Sequence, residues 1–114
     1  MHELSIAMEI LDIVEKEAVN HGAAVVRQVN LRVGDLSGVE TESLSFSFDA
    51  VKGDKDLTRE SILVIECLPV RIRCNPCAEE FQGSGHRVIC PRCQGFDTEL
   101  LQGEELEIAD IEID

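Results

Sequence analysis

The chain has no tryptophan and no tyrosine, and only four phenylalanines in 114 residues. Any core must therefore be built from Ile, Leu, Val and Ala. Basic residues are also few. Ten Lys and Arg stand against 23 Asp and Glu, for a net charge of -13. Such a surface repels phosphate backbones and anionic lipid heads, which argues against nucleic acid or a membrane as partner. It suits a soluble protein that meets a basic partner or handles cations. No run approaches the ~20 apolar residues of a membrane span. The start, Met1-His2-Glu3-Leu4-Ser5, soon meets Glu9, Asp12 and Glu15 and lacks the basic n-region and apolar stretch of a secretory leader. A cytoplasmic location is the expectation. A Walker-type glycine loop, a His-Glu-x-x-His helix and a nucleophile elbow are all missing from the sequence, so it carries no legible catalytic constellation and is not expected to be an enzyme.

What the chain does have is cysteine in a pattern. Cys74-Asn75-Pro76-Cys77 and Cys90-Pro91-Arg92-Cys93 form two knuckles with twelve residues between them. Two thiolates two residues apart wrap one side of a metal ion, and two such turns supply four soft ligands at tetrahedral angles. Zn²⁺ is the expected ion, held in a closed structural site at Cys74, Cys77, Cys90 and Cys93; a single iron is the alternative. Paired knuckles fit metal ligation in a reducing compartment better than a disulfide framework. The fifth cysteine, Cys67, follows the apolar run Ile62-Leu63-Val64-Ile65 and reads as a small buried hydrophobe.

Periodicity supplies the elements. Leu4, Ala7, Met8, Leu11, Val14 and Ala18 recur at helical spacing, with Asp12 and Lys16 as an i,i+4 pair and Gly22 just past the helix end. Residues 1 to 3 read as an exposed lead-in. Val29, Leu31 and Val33 alternate with polar residues in a half-buried strand. Ser37 and Glu40 have capping-box spacing ahead of a second helix marked by Leu44, Phe48 and Val51. Ser61 to Leu68 is nearly all apolar and reads as a strand buried on both faces. Val70 to Arg73 leads into the first knuckle, and Thr98 to Leu101 is a short strand. In the last eleven residues, six are acidic. Leu106 and Ile108 share one strand phase, Ile111 and Ile113 the other, so a strand with a bulge near Ala109-Asp110 is favoured over a disordered acidic tail.

The predicted fold is α+β or α/β: a sheet of about three strands packed with two helices, plus an inserted zinc-ribbon-like module. The expected domains are residues 1–69 with 104–114, and the metal module at 70–103. Strands joined through a helix run parallel if adjacent.

The chain start holds a second metal-binding possibility. The Met1 amine, the amide that follows it and the His2 imidazole can close fused chelate rings on an ion with planar nitrogen preference, Ni²⁺ or Cu²⁺. Bulky His2 implies that Met1 is retained. A solvated side chain is the alternative for His2. A first-turn acid favoured by the helix dipole is the alternative for Glu3. His21 reads as a helix C-terminal residue. His86, between the knuckles, reads as a loop histidine that could stand in for a thiolate. Arg71, Arg73, Arg87 and Arg92 gather in the metal module.

The Met1-His2-Glu3-Leu4-Ser5 opening, the chain length, the loop Gly34-Asp35-Leu36-Ser37, the two late knuckles and the acidic tail together resemble the HypA/HybF family of hydrogenase maturation nickel metallochaperones. The resemblance implies a nickel site on Met1, His2 and Glu3 with the Glu40 carboxylate nearby, and a structural zinc site at the four cysteines. It implies delivery of Ni²⁺ to the large subunit of [NiFe]-hydrogenase, together with the maturation GTPase HypB, and in some organisms service to urease and its accessory proteins. Some members place histidines beside the knuckles; here Ala78 and Gln94 stand there, which leaves His86 the local imidazole. A zinc-ribbon interaction module in a transcription or other assembly is the competing function. The sequence allows a monomer or a homodimer.

Overall fold

The computed structural model describes residues 2–83 and 88–114. Met1 and residues 84–87 lie outside the described residues, and so do the readings made of Met1, His86 and Arg87. The chain divides into two compact units. The first comprises Met1–Arg32, Val39–Glu66 and Glu107–Asp114; the second comprises Val33–Gly38 and Cys67–Leu106.

The first helix, α1, spans Glu3–Asn20. Glu3 is therefore its first residue and is half-buried, so the exposed lead-in ends at His2. At the other end His21 is the cap, and Gly22, at φ +68°, turns the chain out. The Gly22 amide donates to the Val19 carbonyl and the Ala23 amide to the Ala18 carbonyl, both at 3.0 Å. These two bonds complete a Schellman motif and satisfy carbonyls the helix would leave bare. The buried stripe is Ala7, Ile10, Val14 and Ala18. Leu4 and Met8, read from the sequence as part of it, are exposed. Met8 instead borders a groove with Leu11, Val51 and Lys55, toward the second helix.

Strand β1 spans Val26–Gly34. Its inward Val29, Leu31 and Val33 are buried, and the intervening positions are polar. The helix α2 covers Thr41–Val51 and buries Leu44 and Phe48. Its cap is Glu40, whose Oε1 accepts the Glu42 amide at 3.0 Å. The capping box expected from Ser37 is not used. The Ser37 amide closes a turn on the Gly34 carbonyl at 3.0 Å, Gly38 adopts φ +80°, and helical geometry begins only at Thr41. Two short 3₁₀ turns, Lys52–Asp54 and Asp56–Thr58, follow.

Strand β2, Ile62–Leu68, and the final strand β6, Leu106–Ile113, flank β1 in the order β2-β1-β6. At the start of β2, Ser61 Oγ donates to the Val26 carbonyl at 2.6 Å, and further along Glu66 meets Arg32 at 3.4 Å. Both residue numbers climb together, so β2 and β1 are parallel, with α2 in the crossover. Opposite them, the Asp114 amide donates to the Val25 carbonyl at 2.9 Å while Glu107 meets Arg32 at 3.4 Å. That strand is antiparallel. The tail is thus a sheet strand, and its half-buried residues change phase between Ile108 and Ala109.

Two readings of β2 are corrected. Its outward side chains are uncovered, so it is not buried on both faces: Ile62 is 59% and Val64 43% exposed. Cys67 is likewise exposed. A continuous apolar run satisfies a strand covered on both faces, but among the described residues no element covers the face that carries Ile62 and Val64.

The second unit holds a three-stranded sheet in the order β4-β3-β5. Strand β3 is Arg71–Cys74, β4 is Glu79–Gln82 and β5 is Thr98–Gln102. Both neighbours run antiparallel to β3, with Cys74 opposite Glu79 on one side and Thr98 on the other. In the same unit Gly34 and Gly103 touch backbone to backbone. A Cβ on Gly34 would lie 2.1 Å from the Gly103 carbonyl oxygen, while the Gly34 amide donates to the Glu105 carbonyl at 2.7 Å. Gly34→Ala is therefore expected to lower stability by about 3 kcal/mol, read as a shift in the urea midpoint.

Candidate metal centres

The four knuckle cysteines converge as the sequence predicts. Their sulfurs all lie within 4.8 Å of one another, and Cys74 and Cys93 stand 3.6 Å apart. A tetrahedral ion with bonds of ~2.3 Å needs sulfurs about 3.8 Å apart, so the set fits one thiolate-bound metal ion. Cys74 and Cys90 are fully buried, Cys77 is half-buried and Cys93 is exposed.

The local backbone explains how two short turns aim four sulfurs inward. Cys74 closes β3 and the chain turns through Asn75, Pro76 and Cys77. The residue after each second cysteine is left-handed: Ala78 at φ 55° and Gln94 at φ 62°. After Gln94 that conformation turns the next backbone N–H, that of Gly95, toward sulfur, and a second amide inside the same knuckle does so as well. The Arg92 amide points at Cys90 Sγ and the Gly95 amide at Cys93 Sγ, each at 3.4 Å. The Gln94 amide closes the turn on the Cys90 carbonyl at 2.9 Å. Glycine is the usual residue at such positions; with Ala and Gln in its place, the sequence hides this half of each knuckle. Asn75 clasps Asp97 through its amide at 3.0 Å and its side chain at 3.1 Å, and Arg92 reaches Glu79 at 2.9 Å. The last pair is exposed and worth little in energy.

Without an ion the four thiols do not share charge evenly. The Cys93 and Arg92 amides pull Cys90 down to about 7. The Cys93 thiol, together with burial, pushes Cys77 up to about 12. At Cys74 the Cys77 amide favours the thiolate, but burial and the contacts to Cys93 and Cys90 outweigh it and hold the group above its ordinary value. A thiol lowered at Cys90 beside thiols raised at Cys74 and Cys77 is the expected result of packing like charges together. A divalent cation removes the conflict and displaces the protons, so its affinity falls as pH falls.

At the other end of the sequence, His2 caps α1 with extended backbone and an exposed side chain that makes no capping bond. Glu3 Oε2 accepts the Glu40 amide at 3.2 Å. One carboxylate thus ties the first turn of α1 to the start of α2. The Glu40 amide is the main cause holding the Glu3 carboxyl below its ordinary value, so Glu3 is charged at neutral pH. The Glu40 carboxylate itself turns back onto its own helix. Among the described residues, the knuckle cysteines form the metal-competent side-chain cluster, and no second cluster of three side-chain ligands occurs. The donors expected at the chain start include backbone nitrogens, and Met1 lies outside the described residues. His21 is held by Glu17 at 3.0 Å, in keeping with its reading as a helix-terminal residue.

The comparisons with known proteins agree with one another. The HypA family, described as hydrogenase/urease nickel incorporation metallochaperones, matches residues 1–113. The hydrogenase maturation factor HypA of Streptomyces avermitilis is 42% identical over 113 residues, covering 97% of this chain and 86% of that protein. That of Chlorobaculum parvum is 39% identical over 114 residues and covers both chains fully. The solution structure of the nickel metallochaperone HypA from Helicobacter pylori matches with a TM-score of 0.69 at 21% identity, covering 99% of this chain and 97% of that one. A second HypA solution structure matches at 0.74, also at 21% identity, with coverage of 99% and 96%. These two likenesses establish the fold.

Removing the metal, by chelation or by Cys93→Ser, is expected to collapse the chemical-shift dispersion of residues 71–102 while the α1 and α2 signals persist, read by NMR. Gln94→Gly relieves a left-handed side chain and is expected to raise the thermal stability of the metal-loaded protein by about 0.5 kcal/mol.

Proposed function

This chain belongs to the HypA family of hydrogenase/urease nickel-incorporation metallochaperones, and from that premise we propose that it carries Ni²⁺ on its first residues and passes the ion to a [NiFe]-hydrogenase large subunit. The nickel ligands are the Met1 amine, the His2 amide and imidazole, and Glu3, with the Glu40 carboxylate in reach. A planar, nitrogen-rich set of this kind suits Ni²⁺. The observation that carries the reading is the 3.2 Å bond from the Glu40 amide to Glu3 Oε2. It keeps the chain start beside the α2 N-terminus although His2 itself is exposed. The Glu42 amide engages Oε1 of the Glu40 carboxylate, and Oε2 is the oxygen offered to the ion.

The four cysteines hold Zn²⁺, whose closed thiolate shell leaves no open position and serves structure. The protein is a carrier and not an enzyme, works in the cytoplasm, and meets the GTPase HypB before or during transfer. Urease is a second client class, through its accessory proteins. The excess of carboxylates suits a protein that handles cations and leaves nucleic acid aside.

Nickel titration of untagged protein tests this. His2→Ala is expected to abolish stoichiometric Ni²⁺ binding by calorimetry while zinc content and the circular dichroism spectrum stay unchanged. Undiminished nickel affinity in that variant would refute the assignment. Binding by a deprotonated amide also releases protons, so the apparent enthalpy should depend on the buffer used.

A further inference from the structure

We propose that the free edge of β2 is a docking site for an extended, basic segment of a partner protein, which joins the sheet as a further strand. The inference stands apart from the metal chemistry. In the order β2-β1-β6 both outer strands are edges, but they are protected very differently. Strand β6 alternates Glu107, Asp110 and Glu112 among its aliphatics, and charges of this kind keep an edge from pairing with other chains. Strand β2 reads Ile-Leu-Val-Ile-Glu-Cys-Leu. It has no proline, no lysine and no charge across its first four residues.

The side chains of β2 show the same openness. Ile62 and Val64, on the outer face of the sheet, are 59% and 43% exposed, and the inward Leu63 and Ile65 are only half-buried. Among the described residues, β1 is the one strand paired with β2, so the outward row of β2 amides and carbonyls has no ladder partner. Such an edge gives an incoming peptide main-chain hydrogen bonds for affinity, and its alternating side chains give specificity.

Charge decides the occupant. The first unit holds sixteen acidic and six basic residues. All six cations already have carboxylate partners within the unit: Lys16 with Asp12, Arg27 with Asp114, Arg32 with Glu66 and Glu107, Lys52 with Asp49, Lys55 with Glu15, and Arg59 with Asp56. Glu60 and Glu66 bracket the apolar part of β2, and Glu60 and Glu112 border the shallow depression beside Ile62. Glu60, Ile62, Val64 and Glu66 lie along the outer face, so a strand whose facing side chains run cation, aliphatic, aliphatic, cation meets these acids while its aliphatics cover Ile62 and Val64. The first unit of a second copy would bring the same surplus of carboxylates, with its own six cations already paired.

The test uses zinc-loaded full-length protein in reductant, which keeps the exposed Cys67 from cross-linking. The probe is a fluorescent peptide that presents Lys, Val, Val and Lys on one face and Thr on the other. Binding is expected by anisotropy, with slowed hydrogen exchange confined to β2 amides. Ile62→Ser with Val64→Ser, and separately Glu60→Gln, should weaken it about tenfold or more, and Glu9→Gln on α1 should leave it unchanged. The same peptide with a central proline should bind far more weakly, because proline cannot donate to the ladder. Equal binding of the proline peptide, or protection elsewhere in the chain, overturns the proposal in favour of plain charge attraction. A homodimer in sedimentation that Val64→Ser dissociates, with no peptide binding, overturns it in favour of a second copy.

Discussion

The convergence of four sulfurs on one point is the constraint that organises residues 67–106. Among the described residues of that segment the buried side chains are Val70, Ile72, Cys74 and Cys90. Half of this small core is therefore ligand. Strands of four and five residues cannot order themselves on two aliphatics. Their register is set where Cys74 sits opposite Glu79 and Thr98, at the point where the metal shell begins. Four thiols at this spacing resist ionising together, and a divalent ion turns that repulsion into binding. Metal affinity and folding of the segment are then one free energy.

The first unit rests on a different principle. Its order is set by β1, which pairs on both sides and buries Val26, Val29 and Leu31. Because β1 and β2 are parallel and the crossover runs through α2, the N-termini of α1 and α2 come together, and Glu3 bridges them. Two helix N-termini share the dipole preference for anions, and two carboxylates, those of Glu3 and Glu40, lie there. The backbone route thus assembles an acidic corner beside the chain start.

Much of this was legible in the residues. The knuckle spacing carries the sulfur cluster, the alternation of Val29, Leu31 and Val33 carries β1, and Gly22 marks a helix end that the Schellman bonds then close. The misreadings have physical causes. An apolar run such as Ile62 to Ile65 records that a strand is hydrophobic, but not whether a second layer covers each face; Ile62, Val64 and Cys67 lie on the uncovered side or toward the strand end and are exposed. Strand β4 has one large aliphatic or aromatic residue, Phe81, and no period to read. Ser37 and Glu40 match a capping pattern, yet the turn at Gly34–Gly38 uses up the residues between them and makes Glu40 the cap. Leu4 and Met8 fit the helical period of α1 but lie beside its buried stripe. The left-handed residues after each knuckle are Ala78 and Gln94, types that give no warning of positive φ.

The proposed division of metals follows from these two principles. An ion in the cysteine cluster cannot leave without unfolding the strands it holds, so it is retained for as long as the segment is ordered. An ion held by the first residues is coupled to no core. His2 is exposed, and Ala7 is the first buried side chain of α1. Releasing that ion removes no buried apolar contact and breaks no ladder bond. The cost of transfer is then set by the ligands alone, and a receiving protein competes with a handful of nitrogen and oxygen donors. Placing the cargo at the free end of a helix whose far end is closed by a Schellman motif keeps that exchange apart from the stability of the fold.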